Sequence, residues 1–474
     1  MTDMTDRFEI SIDRAARQPL AVQIHRSISQ AIRDGRLAGG ARLPSWRDLA
    51  AQLGVARGTV RVAYEKLADE QLIAGMGAAG TRVISQGAPR RPAGPAREAA
   101  PLPMLFHDFE RPPAAFQMGV PAQDAFPFSL WSRLMARSAR AAAATPVSYP
   151  DPRGHSELRQ EIAAYLALSR SIQCSPGQIL VTSGYAGALG LILRTLDLDG
   201  CHAWLEDPAF PLTRIGLEFA RIAITPVPVD NEGLDVAAAL RLAPEAKLAV
   251  VTPGQQAPLG VTLSLTRRLA LIDWAGRAGA WIIEDDYLSE LQLKGRAAPA
   301  LASLDPHGRV LHAGSFSKTI SPALRLGFLV VPPELAARFG DVAAALFPAP
   351  AASIQRAVAA FLAEGHYLRH LRHMKRLYAA RRERLAEHMR QRRRPGMAVH
   401  VTGGLSVLLD LPDTADDLAI ASQALPFGLA PVPLSPWYQA SRHAGLMLGI
   451  TNQSEQRLAA DCDRLIGLIE ANGG

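Results

Sequence analysis

Cysteine is scarce: Cys174, Cys201 and Cys462 are the only three in 474 residues. They form no CxxC pair and show no metal-ligand spacing. A disulfide framework and a cysteine-built metal centre are therefore excluded, and the thiols read as reduced ones in a cytoplasmic protein. No metal site of any other kind is expected. No apolar run is long enough to cross a bilayer. The first ten residues, MTDMTDRFEI, are acidic and polar, unlike a signal peptide. No internal repeat is found. What remains is an ordinary globular composition, 48% hydrophobic and 20% charged, able to bury a large core. The length suggests two or three domains. A net charge of +7 favours a nucleic-acid partner, though Arg- and Ala-rich chains drift basic without one.

Composition shifts once. From Ser85 to about Pro113 the chain is rich in Pro, Ala and Arg and has no periodicity, which predicts an extended linker. The expected division is residues 1–84, 85–113 and 114–474. In the first segment, Leu20, Ile24, Ile28 and Ile32 recur on one helical face. Trp46, Leu49, Ala50 and Leu53 do so on a second helix, and Val60, Ala63, Tyr64 and Leu67 on a third. Ser45 is a natural N-cap, and Leu53-Gly54-Val55 breaks the second helix from the third. The Gly-rich run Ile73–Ile84 predicts a tight hairpin. The third segment alternates short apolar runs with helical ones. Strands are expected at 179–182, 202–205, 248–252, 281–285, 310–313 and 327–331, an open α/β sheet. A long helical stretch beyond Ala351, short strands near 400–411 and 445–450, and a last helix ending near Ile469 predict a smaller C-terminal subdomain.

On the third helix Arg57, Gly58, Thr59 and Arg61 lie at the N-terminal end, opposite the apolar stripe. A helix that reads the major groove needs a first turn free of bulk and rich in donors. Arg47 opens the second helix, suited to a phosphate, and Arg82 sits on the hairpin, suited to the minor groove. Any one of these arginines alone reads as well as a solvated surface charge; together they point to DNA. The stretch Pro19–Ile73, with GRLAGGARLPSWRDLAAQLGVARGTVRVAYEKL, resembles the winged helix-turn-helix of GntR-type regulators. The resemblance carries DNA contact to Arg47, Arg57, Gly58, Thr59 and Arg61. Ala56 departs from it, standing where a capping Ser is usual.

A second constellation suits pyridoxal 5′-phosphate, which needs an amine for a Schiff base, an acid at its pyridine nitrogen, a donor for its ring oxygen and a phosphate cradle. GSFSKTISPALRLG (Gly314–Gly327) supplies Lys318 as the amine, with Ser315, Ser317 and Arg325 for phosphate. WIIEDDY (Trp281–Tyr287) supplies Asp285 for the nitrogen and Tyr287 for the ring oxygen. The junction VTSGYAG (Val181–Gly187) offers backbone amides at a helix start. Each piece alone is weak, since a Ser-Lys pair occurs everywhere; their joint order is not. From about Met118 onward the chain resembles the fold-type-I aminotransferase domain of the MocR/GabR subfamily of GntR-type regulators. The matching pieces are GVPAQDAFPFSLW, YPDPRGHSELR, ILVTSGYAGAL, LEDPAF, VTPGQQAPLG, IIEDDYLSE and the lysine segment. The resemblance implies that Lys318 holds the cofactor covalently, that Phe210 lies on or near its ring, and that the amides of Tyr185 and Ala186 join the phosphate cradle. It also implies a head-to-tail homodimer, with each winged helix on its partner's large domain, in a bacterial cytoplasm at the nucleoid.

The expectation is a DNA-binding transcriptional regulator that senses the cofactor or a small amine or amino acid through Lys318. The alternative is a true aminotransferase with a DNA-binding appendage. A third reading, a platform that has lost the cofactor, is opposed by the complete set Asp285, Tyr287, Lys318 and Arg325. Departures from the aminotransferase pattern weigh against turnover. TPGQQ (Thr252–Gln256) lacks a usual His, Ala257 stands at a usual Asn, and Phe210 at a usual Tyr. Leu212 occupies a place where the GABA-responsive version resembles an Arg site. Gly445–Gly449 carries no carboxylate-gripping Arg, for which Arg214 and Arg442 are the candidate substitutes. Effector and operator stay open.

Overall fold

The computed structural model describes residues 10–16, 18–77, 80–84, 112–144, 148–293 and 298–472. The chain divides into two compact units, Met1–Met104 and Leu105–Gly474. The expected linker falls almost wholly outside the described residues.

In the first unit, α1 (Leu20–Arg33), β1 (Arg42–Leu43), α2 (Trp46–Leu53), α3 (Arg57–Asp69), β2 (Ile73–Gly75) and β3 (Thr81–Val83) follow in order. The three expected helices and the hairpin are present. β1, two residues long and too short to leave a pattern, adds an edge to the sheet, giving the order β1-β3-β2 with Arg42 opposite Arg82 and Ile73 opposite Val83. The helical stripes meet in one core of Ile24, Ile28, Leu49, Val60, Leu67 and Val83. Two termini are set by the chain's own chemistry. The Ser45 side chain accepts from the Asp48 amide at 3.2 Å and caps α2. Gly54, left-handed at φ 60°, closes it. An element no pattern announced also holds that end: Arg14 donates to the carbonyls of Leu53 and Gly54 at 3.1 and 2.9 Å.

In the second unit come α4 (Phe128–Ala144), α5 (Ser156–Ser169), β4 (Ile179–Thr182), α6 (Tyr185–Leu196), β5 (His202–Asp207), α7 (Pro211–Phe219), β6 (Ala223–Asp230), β7 (Gly233–Leu234), α8 (Val236–Leu242), β8 (Leu248–Val251), α9 (Leu265–Ala278), β9 (Trp281–Asp286), β10 (Val310–Ser315) and β11 (Gly327–Val330). These form the large lobe around an eight-stranded sheet of order β4-β11-β10-β9-β8-β5-β6-β7. β10, β9, β8, β5 and β6 run parallel. β11 is antiparallel to both of its neighbours, so β4 points the same way as the parallel set. The sheet is thus mixed, and apolar cores cover its two faces. All six expected large-lobe strands form. β6 was masked in the sequence by Pro226 and Pro228, which deny it two donors; it survives because over those residues it pairs only with β5.

The small lobe follows through α10 (Ala336–Leu346), α11 (Ala352–Ala363), α12 (His366–Gln391), β12 (Ala398–Val401), β13 (Ser406–Asp410), α13 (Asp417–Ala424), β14 (Val432–Pro433), β15 (Gly445–Gly449) and α14 (Leu458–Ala471). Its antiparallel sheet has the order β12-β13-β15-β14. The segment ahead of α4 is stitched to this lobe: the Gly449 amide donates to the Phe116 carbonyl at 2.8 Å, and the Ala430 amide to that of Ala115 at 2.8 Å. It then runs on to Gly119 at the large lobe. Among the described residues no helix is long and apolar enough to cross a membrane.

α3 begins at Ala56, whose side chain gives no cap. Ala56→Ser is therefore expected to stabilise the first unit by about 0.5–1 kcal/mol and Ser45→Ala to destabilise it by about 1 kcal/mol, both read from denaturant unfolding of the full chain. Equal midpoints for the two variants would show that these caps do not set the stability of the unit.

Candidate cofactor crevice and nucleic-acid face

In the first unit the apolar stripe of α3 turns Val60, Ala63, Tyr64 and Leu67 inward. Arg57, Gly58 and Arg61 are left exposed, and Thr59 is half-buried. Arg61 makes a loose pair with Glu65, one turn on, at 3.5 Å. Arg47 is exposed at the start of α2 with its guanidinium 4.9 Å from the Trp46 ring centre. Arg82 is exposed on β3, but one of its nitrogens donates to the Gly40 carbonyl at 2.8 Å. That bond fixes the guanidinium to the base of the wing. The donor end of α3 is supported from beneath by Tyr64, whose hydroxyl donates to the Pro44 carbonyl at 2.9 Å.

In the second unit the parallel set makes one edge of the sheet chemically dense. The C-terminal ends of β4, β10, β9, β8 and β5 all open there, where ligands of open α/β sheets are held. Alternation along β9 turns Asp285 to one face and Glu284 and Asp286 to the other. Asp285 is buried, and among the described residues neither of its oxygens has a hydrogen-bond partner. Burial first, then Asp286 and Glu206, push its carboxyl well above the usual range, opposed by Lys318. Lys318 follows β10. Burial pulls its ammonium down while Asp285 pulls it up, and among the described residues its hydrogen bond is a long one, 3.4 Å, to the Gly119 carbonyl 199 residues away. Tyr287 is pushed above an ordinary phenol by burial and then by Asp285. A carboxylate, an amine and a phenol thus face one another with their hydrogen-bonding capacity unspent.

Around them the backbone comes unusually close. Gly119 has φ +86°, and a methyl there would sit 2.9 Å from the lysine nitrogen. A methyl on Gly327 would meet the Gly314 carbonyl at 2.7 Å and the Gly184 Cα at 3.0 Å. The turn from β4 into α6 therefore lies against the ends of β10 and β11. Gly184, at φ +86°, precedes the helix, and no side chain caps its start. The first amides, of Tyr185 and Ala186, are left for an anion. The exposed Arg325, held at φ 46°, brings its guanidinium to 4.0 Å from where a Gly184 methyl would be.

Not every expected side chain is free. The Ser315 hydroxyl accepts from the Ser317 amide at 3.2 Å and shapes the lysine loop, while the Ser317 side chain is half-buried. The Tyr185 hydroxyl is paired with Thr213 at 3.0 Å, tying α6 to α7. Phe210 packs at 5.6 Å on Trp437 of the small lobe. Sequence reasoning did not reach Gly119, Glu206 or Asp207. Glu206 is buried, accepts from Thr252 at 3.1 and 2.6 Å, and is pushed up to about 7, chiefly by burial. Asp207 accepts from the amides of Gln439 and Ala440 at 2.8 and 3.0 Å, latching the two lobes. The acids of LEDPAF were a visible signal; Gly119 became visible only once the fold brought it to Lys318.

The β15 stretch, in which the sequence showed no carboxylate-gripping Arg, is packed with apolar side chains. Met447 of β15 is wholly buried and packs with Leu408, Leu434, Met118, Leu259 and Trp437. Arg442 is tied to the Ala415 carbonyl at 3.1 Å. Arg214, on α7, is half-buried.

Two family models match. That described as aminotransferase class I and II covers residues 124–425, and that of the bacterial regulatory proteins of the gntR family covers residues 20–83. The chain is 36% identical over 383 residues to the probable rhizopine catabolism regulatory protein MocR of Rhizobium meliloti, covering 78% of this chain and 77% of that one. It is 32% identical over 449 residues to the pyridoxine biosynthesis transcriptional regulator PdxR of Corynebacterium glutamicum, with 93% of each chain covered. Among solved structures, an archaeal alanine:glyoxylate aminotransferase superposes with a TM-score of 0.70 at 25% identity, over 76% of this chain and 92% of that one. A winged helix-turn-helix of GntR type, a fold-type-I aminotransferase domain and relatives of this kind together place the chain in the MocR-type family of bacterial transcriptional regulators.

Proposed function

We propose that this regulator uses pyridoxal 5′-phosphate, or an amine that reacts with it, as its signal, and reads operator DNA through α2, α3 and the wing. The observation that carries the first half is the set of unspent groups at one sheet edge. A buried carboxylate without a partner is costly unless something pairs with it, and a protonated pyridine nitrogen would pair with Asp285. The amides of Tyr185 and Ala186 with Arg325 suit a phosphate dianion, Ser317 borders that cradle, and Tyr287 suits the ring oxygen. When bound, the cofactor supplies an aldehyde carbon that condenses reversibly with an amine. Lys318, held low by burial, is the chain's own amine for that Schiff base. Were an effector amine to take its place, Lys318 would again face Asp285 as a free amine, a differential contact of the kind that biases one conformation over another.

The second half rests on the exposed donors Arg57, Gly58, Thr59 and Arg61 at the start of α3, with Arg47 and Arg82 placed for the backbone and the minor groove. A homodimer, in which two such heads meet two half-sites, completes this reading. The apolar wall around Met447 favours sensing over turnover, because a substrate carboxylate there would lie unpaired.

Arg57→Ala should lose about 1–3 kcal/mol of discrimination between bases. Arg47→Ala should weaken binding to all sequences alike and lower the salt slope by about one. Fluorescence anisotropy with the protein's own promoter reads both, and unchanged binding removes the residue from the interface. The purified protein should take up the cofactor with a visible absorption band that Lys318→Ala abolishes. Gly119→Ala, which crowds the lysine at positive φ, should weaken uptake about tenfold or more. Steady-state transamination with common amino acids should stay far below the roughly 1–1000 per second of ordinary enzymes; turnover in that range would favour an aminotransferase with a DNA-binding appendage.

A further inference from the structure

Behind Asp285, on the opposite face of β9, lies an ionic cluster that the cofactor reading does not use. Arg170, the residue that ends α5, is 3% exposed, and Asp286 is 6% exposed. The Arg170 Nε donates to Asp286 Oδ2 at 2.6 Å, and its Nη1 donates to the Ala298 carbonyl at 2.7 Å. Among the described residues His312 lies 3.8 Å from Asp286, and Arg268 also feels its charge. That imidazole is already committed: its Nδ1 lies 3.0 Å from Glu284, which also accepts the amides of Leu301 and Ala302 at 2.7 and 3.1 Å. Glu290, a third acid of this face, is pushed up to about 7 by burial and then by Asp286. Asp286 Oδ1 and Arg170 Nη2 have no partner among the described residues, so the direct hydrogen bond between the two groups runs from Nε to Oδ2.

Asp285 and Asp286 are consecutive, so the charge that Arg170 offsets lies immediately behind the carboxylate that faces the crevice. In front, Asp285 is faced by Glu206 from β5, Tyr185 from α6, its own neighbour Tyr287, and Lys318 from the loop after β10. Only Lys318 among these favours its ionised form, and that amine is the one the cofactor would consume. With the lysine charge spent, the remaining protection against two neighbouring acids comes from behind.

We propose that Arg170 is a positioning residue for the cofactor site: by pairing with Asp286 and clamping the end of β9, it offsets the charge immediately behind Asp285 and holds that carboxyl in place for the pyridine nitrogen. This rests on the cofactor reading above. It deepens that reading by assigning a role to a side chain that cannot itself touch the ligand across the sheet.

The test is equilibrium titration of the full-length apoprotein with pyridoxal 5′-phosphate, followed by absorbance across a pH series. Arg170→Gln should weaken uptake by about tenfold or more, one unit of Asp285 pKa being a factor of ten. The deficit should shrink as pH rises, because alkali re-ionises an Asp285 whose pKa has gone up. Asp286→Asn, which removes the charge that Arg170 offsets, should keep uptake within about threefold of the parent, and so should the double variant. A merely structural arginine would give a deficit that does not vary with pH and that Asp286→Asn does not rescue; either result overturns the proposal. If Arg170→Gln fails to fold, Asp286→Asn and the charge-balanced double variant decide, a tenfold loss in either counting against it. A parent protein that takes up no cofactor at all would instead end the reading on which this one stands.

Discussion

A carboxylate buried at the end of a strand, with no hydrogen bond among the described residues and two other acids nearby, is the constraint from which the second unit is best understood. Of the charges around Asp285, Asp286 and Glu206 oppose its ionised form and Lys318 favours it. Left to the apolar interior it would be protonated or rebuilt. Its position follows from the parallel sheet, which delivers the ends of five strands to one edge. Gly327 lets backbone approach backbone there, against Gly314 and Gly184, while Gly119 leaves room for the Lys318 nitrogen and Gly314 for the Phe328 ring. A fold that collects unsatisfied groups in this manner carries its cost in stability for the sake of what binds, and local rules broken together in one place mark a site.

The sequence disclosed the fold well where a pattern is long or chemically distinct. Helix stripes in the first unit, the Ser45 cap and six large-lobe strands were all legible, because periodicity and capping act within a few residues. What was hidden has physical reasons. β1 and β14 are two residues each, too short to alternate. β6 carries two prolines that argue against any strand, and only its place with β5 alone along those residues admits them. The mixed character of the sheet depends on the turn-back of β11, which no local signal encodes.

The site divides in the same manner. Lys318, Asp285 and Tyr287 were visible because their residue types and order are specific to a chemistry. The Tyr185 hydroxyl and the Ser315 side chain, by contrast, are spent on Thr213 and on the lysine loop. Both are bonds between neighbouring elements that a motif does not contain. Gly119, Glu206 and Asp207 were missed for the opposite reason. Their roles are contacts across the fold, to Lys318, Thr252 and the small-lobe amides, and they exist only once the chain has closed on itself.

Two places in the second unit contrast. At the strand ends Lys318, Asp285 and Tyr287 lie within reach of one another's charge. On β15, in the stretch that carries no carboxylate-gripping Arg, Met447 packs with Met118, Leu259 and Trp437, and Arg442 is drawn off to the Ala415 carbonyl. Catalysis demands interactions made in the transition state and rapid exchange of substrate. Signalling demands only that the bound and free states differ in free energy, and that the difference reach another part of the chain. Asp207 joins the large lobe to the small-lobe segment that carries Trp437, and the segment before α4 is stitched to β15 before it reaches Lys318. The lysine, the acid that joins the lobes and the segment stitched to β15 thus belong to one continuous set of contacts within the second unit, which is the physical ground on which the sensing reading proposed above stands.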